Sequence, residues 1–294
     1  MGNSLAIAPA PGRTVFVSAA IQLIGSALLV VSLMFAAGLQ LRVAELLALR
    51  ERPRMLALAL LVNLVVVPGM TWGLSAALSL PAAVVLGLLL CAAAPGGPAA
   101  VLYVNTAKAD LPMTVSLTIV LPILGVITTP LTLSWVPNLP ADLSMPIVPI
   151  ILSLIGFQLL PLALGMLLRA RKPKLAERLS PIAKTVANGT LASLVIVMLF
   201  LQGHLLAQAS PGLWLALLGS GVGAVLVGYL AALPERESAR AGGIVAISRN
   251  ISVSLMLAST FFVDPIVNAT VLIYGLVAFV TPLLLALIWR RGKS

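Results

Sequence analysis

Long apolar runs, rather than alternating ones, set the rhythm of this chain. Nine predominantly apolar stretches of about 20 residues or more fall at about 15–38, 55–78, 80–104, 112–135, 145–168, 180–202, 211–232, 240–262 and 265–289. Each is long enough to cross a hydrocarbon core of roughly 30 Å as an α-helix. Barrel strands would instead alternate polar and apolar residues in segments of about 10. The pattern predicts an all-α integral membrane protein of about nine transmembrane helices, forming one domain over 15–289, with an external leader at 1–14 and a cytoplasmic tail at 290–294. The connections are too short for a soluble domain, so function has to lie among the helices.

Two of the runs are interrupted. The third contains Pro95-Gly96-Gly97-Pro98, where two prolines remove backbone donors and two glycines favour non-helical geometry. The eighth places Ser248-Arg249-Asn250 in its middle. Irregular backbone at membrane depth is tolerated only where it is buried in protein or lines a cavity. Five spans apart in a nine-span chain, the two segments run through the membrane in opposite directions. That is the arrangement of an inverted repeat whose two broken helices meet at a transport site.

Composition agrees: 61% of the 294 residues are hydrophobic and 9% are charged, which excludes an ordinary soluble globule. The net charge of +10 invites a nucleic-acid reading, but the location of the charges excludes it. Arg42, Arg50, Arg52, Arg54, Lys108, Arg169, Arg171, Lys172, Lys174, Arg178, Lys184, Arg236, Arg240, Arg290, Arg291 and Lys293 all fall in or around alternate connections, or in the tail. The other connections offer only Asp142, His204 and Asp264. This is the positive-inside pattern, and it predicts a multi-pass plasma-membrane protein with its N-terminus outside and its C-terminus in the cytoplasm. The lone Cys91 excludes an internal disulfide and any multi-cysteine zinc site, and is expected in the core.

Arg249 is the candidate with most chemical content. It lies about nine residues beyond Arg240, so roughly 13 Å into the membrane at about 1.5 Å per residue. A charge there costs roughly 2.5–3.5 kcal/mol. None of the eight Asp and Glu residues falls mid-span, so its counter-charge has to come from outside the protein: a small organic anion held by the guanidinium fork. A structural role, capping carbonyls freed by the break in the third run, is the competing reading. Asn250 and Ser248 flank it, while Gln158 and Asn188 are polar candidates for the opposite wall or for interhelical packing. The spans contain no nucleophile, base and acid set and no metal constellation, so neither an enzyme nor a metal or cofactor site is expected. The partners implied are the anion and the bilayer, with no oligomeric state indicated.

The stretch Ala94-Pro95-Gly96-Gly97-Pro98-Ala99, followed by Ala107-Lys108-Ala109-Asp110 and Val115-Ser116-Leu117-Thr118, resembles the Pro-Gly-Gly segment and Lys-Gly-Asp loop of the bile acid:sodium symporter family. Arg240-Ala241 followed by Asn250 is similar to that family's second crossover, where a Glu and then Gln-Asn stand. The resemblance runs from about Met34 to the C-terminus. It implies a core domain holding the two crossing broken helices, a panel domain that moves against it, and coupling to sodium. Residue by residue, however, the implied ion sites are depleted. Ala100-Val101 occupy the Ser-Asn pair of the first site, Val245 the shared carboxylate, and Arg249 the adjoining Gln. Thr114 and Thr118 remain from the first site, and Asn63 stands for a Gln in the second. A guanidinium about 4 Å from a cation, at an effective dielectric near 20, costs on the order of 4 kcal/mol, roughly a thousandfold in affinity. The expected function is a secondary active or facilitative carrier of small organic anions working by alternating access without sodium. A sodium-coupled organic-anion symporter and an anion-binding membrane receptor without flux are the alternatives. The expected substrate site comprises Arg249, Asn250, Ser248, Pro95, Gly96, Gly97 and Asn63, beside former ion-site liners Thr114, Thr118, Ala100, Val101 and Val245.

Overall fold

A computed structural model describes residues 11–41, 52–136, 145–207, 209–262 and 264–291. Proline opens many of the helices, where its missing N–H falls among donors that have no intrahelical partner anyway. Helix α1 spans Pro11–Gly38. A segment over Pro53–Ala77 forms α2, with a π-turn at Val62–Val66. The third run is split into α3, Ala82–Ala92, and α4, Ala99–Thr106. Helix α5 covers Leu111–Leu133; α6 covers Ile147–Arg171, with a second π-turn at Leu154–Leu159. Helix α7 spans Pro173–Ala207 and α8 spans Pro211–Ala231. The eighth run is split into α9, Arg236–Ile247, and α10, Ile251–Phe261, and α11 covers Pro265–Arg291.

Helix occupies all nine expected runs, while length and apolarity by themselves establish six crossings among the described residues: Pro53–Ala77, Leu111–Leu133, Ile147–Arg171, Pro211–Ala231, Arg236–Phe261 and Pro265–Arg291. Three boundaries differ from expectation. Helix α7 runs on through His204 to Ala207, where a connection from 203 was expected, because the isolated Gly203 is tolerated in a helix and the next strong stop is Ser210-Pro211. Helix α1 already begins at Pro11, inside the expected leader, and Arg290 and Arg291 finish α11. The rest of the leader at 1–10, and Arg42, Arg50, Asp142 and Lys293, lie outside the described residues.

The helices form two groups. Helix α1 packs on α6 and α7, while α2 packs on α8, α8 on α9, and α3 on α11. Small residues bring the partners together within each group. A Cβ on Gly38 would strike the Leu162 carbonyl of α6, and a Cβ on Gly228 of α8 would strike the Gly242 carbonyl of α9. Lacking a hydrophobic drive between helices in lipid, membrane proteins rely on such close backbone contact. Helix α1 also meets α10, where the two groups touch. The core is leucine-rich: Leu86, Leu88, Leu89 and Leu90 of α3 are fully buried. Outward, Ile24, Leu102, Ile127, Leu226 and Phe200 stand exposed, the surface expected of a protein whose solvent is hydrocarbon.

Candidate functional site

The two broken helices meet at their breaks and pair through their main chains. The Gly97 N–H donates to the Ser248 carbonyl at 3.2 Å, and the Asn250 N–H donates to the Ala94 carbonyl at 2.9 Å. This reciprocal pair explains the Pro-Gly-Gly-Pro sequence. Gly96 sits at φ 78°, a region favouring glycine, and a Cβ there would also press on Pro122 of α5. A Cβ on Gly97 would lie 2.5 Å from the Arg249 carbonyl oxygen, so glycine is what allows the two breaks to touch. Pro95 rests against Gly125 of α5.

Breaking α3 in mid-membrane strands carbonyls, and in a water-free environment each needs a donor. Ser254 Oγ donates to the Leu90 carbonyl at 3.0 Å, Thr129 Oγ1 to that of Ala93 at 2.6 Å, and the Asn250 N–H to that of Ala94. The structural role considered for Arg249, capping the break in the third run, is therefore corrected: those carbonyls are served by hydroxyls and backbone that sequence reading did not single out. A serine one turn after Asn250 was the available signal for Ser254; Thr129, 36 residues from its acceptor, had none.

Arg249 instead reaches α2. Its Nη1 donates to the Asn63 carbonyl at 3.0 Å. That carbonyl is free because the Val67 N–H turns back five residues to Val62 in the π-turn, and the next residue, Pro68, has no N–H to offer. Proline, π-turn and arginine therefore form one unit. The side chain is 4% exposed, and its Nε and Nη2 have no hydrogen-bond partner among the described residues. These two atoms form one edge of the guanidinium fork. Tyr274 of α11 and the thiol of Cys91 lie beside it, and Cys91 is fully buried in the core as expected. Neither offers a carboxylate, and among the described residues no group of acidic, histidine or cysteine side chains is arranged to hold a metal.

The remaining predicted residues divide into two sets. Asn250 caps α10: its Oδ1 accepts from Ser252 Oγ at 2.7 Å and from the Val253 N–H at 3.5 Å. Ser248 Oγ and Asn63 Oδ1 are buried with no hydrogen-bond partner among the described residues; the first belongs to the residue before Arg249 and the second to the residue whose carbonyl Arg249 holds. Of the former ion-site liners, three are apolar and two carry hydroxyls. Ala100 and Val245 are buried and apolar and Val101 is half-buried. The hydroxyls of Thr114 and Thr118 donate to carbonyls four residues back, Asp110 and Thr114, at 2.9 and 2.8 Å. Gln158 Nε2 bonds the Pro122 carbonyl across to α5 at 3.1 Å, and Asn188 is exposed on α7, away from the crossing. A small cavity of about 10 Å³, room for one water, lies between α2, α5, α8 and α9, with Asn63, Leu117 and Val245 in its wall.

An all-α, multi-pass membrane protein with two broken helices paired at their breaks is the architecture of secondary transporters. The chain belongs to the sodium bile acid symporter family: that family's model matches residues 27–209, which include α2 and the break between α3 and α4. The family is one of transporters, not enzymes. The chain is also similar to an uncharacterized sodium-dependent transporter of Bacillus subtilis, 27% identical over 125 residues, 41% of this chain and 39% of that protein. A probable sodium/metabolite cotransporter of the Arabidopsis thaliana chloroplast is 25% identical over 269 residues, 88% of this chain and 65% of its own length. In both cases the match spans less than two thirds of the relative.

Proposed function

We propose that this protein carries small organic anions across the plasma membrane by alternating access, without sodium, with its N-terminus outside and its C-terminus in the cytoplasm. The observation that carries this reading is the unpartnered Nε and Nη2 edge of the buried Arg249. A cation held at membrane depth with a single hydrogen bond is poorly compensated, and a planar anionic head with two oxygens matches the free edge in geometry and charge. Tyr274, beside the guanidinium, and the unpartnered hydroxyl of the preceding Ser248 are the groups that would join in binding. In this mechanism the group built on α2–α5 and α8–α11 shifts against α1, α6 and α7, exposing the crossing to each side in turn. The fixed charge of Arg249, anchored on the Asn63 carbonyl, takes the place a mobile cation would fill.

The names of the relatives favour a second reading, sodium-coupled symport, in which Asn63 Oδ1 and freed carbonyls serve the ion. Uptake of a panel of radiolabelled organic anions into proteoliposomes, with sodium present or replaced by potassium, separates the two. Uptake indifferent to the replacement supports the proposal, and uptake that vanishes with sodium supports symport. Saturable binding with no flux identifies a receptor.

A further inference from the structure

We propose that Arg52, Asp110, Glu235 and Ser238 form a gate over a water path that leads from the arginine-rich face of the protein to Asn63 and Arg249. The four residues come from three connections far apart in sequence: the start of α2, the α4–α5 turn and the α8–α9 turn. Arg52 Nη1 reaches Glu235 Oε2 at 2.8 Å and Asp110 Oδ2 at 3.2 Å, and Ser238 Oγ at 3.4 Å. Ser238 Oγ in turn donates to Asp110 Oδ2 at 2.7 Å or to Glu235 Oε2 at 3.0 Å. Asp110 is fixed by its cap on the Met113 N–H and by its own N–H on the Glu237 carbonyl.

The registers of the helices show what this cluster covers. On α2, Met55, Ala59 and Asn63 follow Arg52 at about one-turn intervals; on α5, Met113 and Leu117 follow Asp110; on α9, Gly242 and Val245 follow Ser238 and lead to Arg249. All seven of these residues line the same cavity, whose remaining wall is α8. Asn63 lies 11 residues beyond Arg52, roughly 16 Å at about 1.5 Å per residue, so the cluster sits at the mouth and the crossing at the inner end. Two observations mark the inner end as a place for water: Asn63 Oδ1 is buried, unpartnered and in the cavity wall, and the space there accommodates a water-sized body. The cluster is also loose enough to open, since Arg52 and Glu235 keep about half of their side-chain surface, 48% and 58%, in solvent.

A water path answers a physical need of the site. When no anion is bound, the Nε and Nη2 edge of Arg249 has no hydrogen-bond partner among the described residues, and water drawn along this cleft satisfies it while the crossing is empty. The gate keeps the cleft shut otherwise. The inference holds whichever anion or coupling ion the protein uses.

The test is thiol accessibility on reconstituted, full-length protein. Leu117→Cys places a reporter in the cleft, Val271→Cys a control in the fully buried core of α11, and the protein with only its native buried Cys91 is the blank. A small charged methanethiosulfonate reagent is applied with the cluster intact and in Arg52→Gln and Glu235→Gln backgrounds, Val271→Cys monitoring the fold. The reporter should be modified about fivefold faster when Glu235 is neutralised, the factor equivalent to about 1 kcal/mol for a partly exposed pair, and faster still when Arg52, which touches all three partners, is replaced. A modification rate that neither substitution raises overturns the gate.

Discussion

Replacing Arg249 with methionine separates a functional charge from a structural one. The side chain contributes one charge-assisted hydrogen bond, Nη1 to the Asn63 carbonyl, worth about 1.5–3 kcal/mol. Against it stands the cost of holding a guanidinium at membrane depth, roughly 2.5–3.5 kcal/mol. Methionine abolishes both and leaves the Asn63 carbonyl without its donor, so the terms nearly cancel and the folded protein should change by no more than about 2 kcal/mol in either direction. Transport should fare very differently. Two charge-assisted bonds from the free edge to a substrate are worth about 3–6 kcal/mol together, so anion affinity should fall by roughly two to four orders of magnitude. Arg249→Lys keeps the charge without the fork and should restore only part of the loss. The assay is substrate uptake by proteoliposomes beside thermal unfolding of the same preparations. Near wild-type uptake by Arg249→Met, with a large loss of thermal stability, would refute the reasoning and make the arginine a strut.

Other substitutions test the crossing itself. Gly97→Ala forces a methyl against the Arg249 carbonyl and should cost about 1–3 kcal/mol by overpacking, with uptake abolished; differential scanning fluorimetry and uptake report the two effects. Removing a carbonyl's donor is expensive, so Thr129→Val and Ser254→Ala should each destabilise by about 1–3 kcal/mol in thermal unfolding. Thr114→Val and Thr118→Val remove only local back-bonds and should change the melting temperature little. Equal destabilisation in all four would show that the hydroxyls over the α3 break are not special.

Much of this architecture was legible in the chain because the bilayer imposes long apolar runs and punishes irregular backbone. Pro95-Gly96-Gly97-Pro98 and Arg249 stood out for that reason, and the structure pairs the two breaks through the main chains of Gly97 with Ser248 and of Asn250 with Ala94. What periodicity cannot supply is the partner of each freed group. Nothing in the sequence pairs Thr129 with Ala93, Ser254 with Leu90 or Arg52 with Glu235, since each depends on helix rotation and on which helices are neighbours. Thr114 and Thr118 show the limit of residue type: each hydroxyl donates to the carbonyl four residues back, a bond any helical threonine can make, so the type alone does not tell an ion ligand from a packing hydroxyl. Asn63 was singled out for its side chain, whereas its main-chain carbonyl carries the contact to Arg249.

That carbonyl gives the link between α2 and the crossing its own test. In a regular α-helix the Asn63 carbonyl would accept from Val67, but the π-turn sends the Val67 N–H to Val62, and Pro68 withholds the next donor along. The vacancy at Asn63 is thus created by one proline, and Arg249 fills it. Pro68→Ala supplies an N–H within the turn that competes for the same oxygen and also relieves the strain of a mid-helix proline, about 3 kcal/mol in an ordinary helix. Helix α2 should therefore be no less stable, while Arg249 loses the Asn63 acceptor and with it a defined position. If about 1.4 kcal/mol of that anchoring is lost, uptake at limiting substrate should drop about tenfold at unchanged or higher melting temperature. A site pre-organised within about 0.5 Å is what such anchoring provides, and misplacement of this kind costs catalysis and binding out of proportion to stability. Unaltered uptake by Pro68→Ala would mean that the guanidinium is positioned by Tyr274 and the packing around it, with the Asn63 contact incidental.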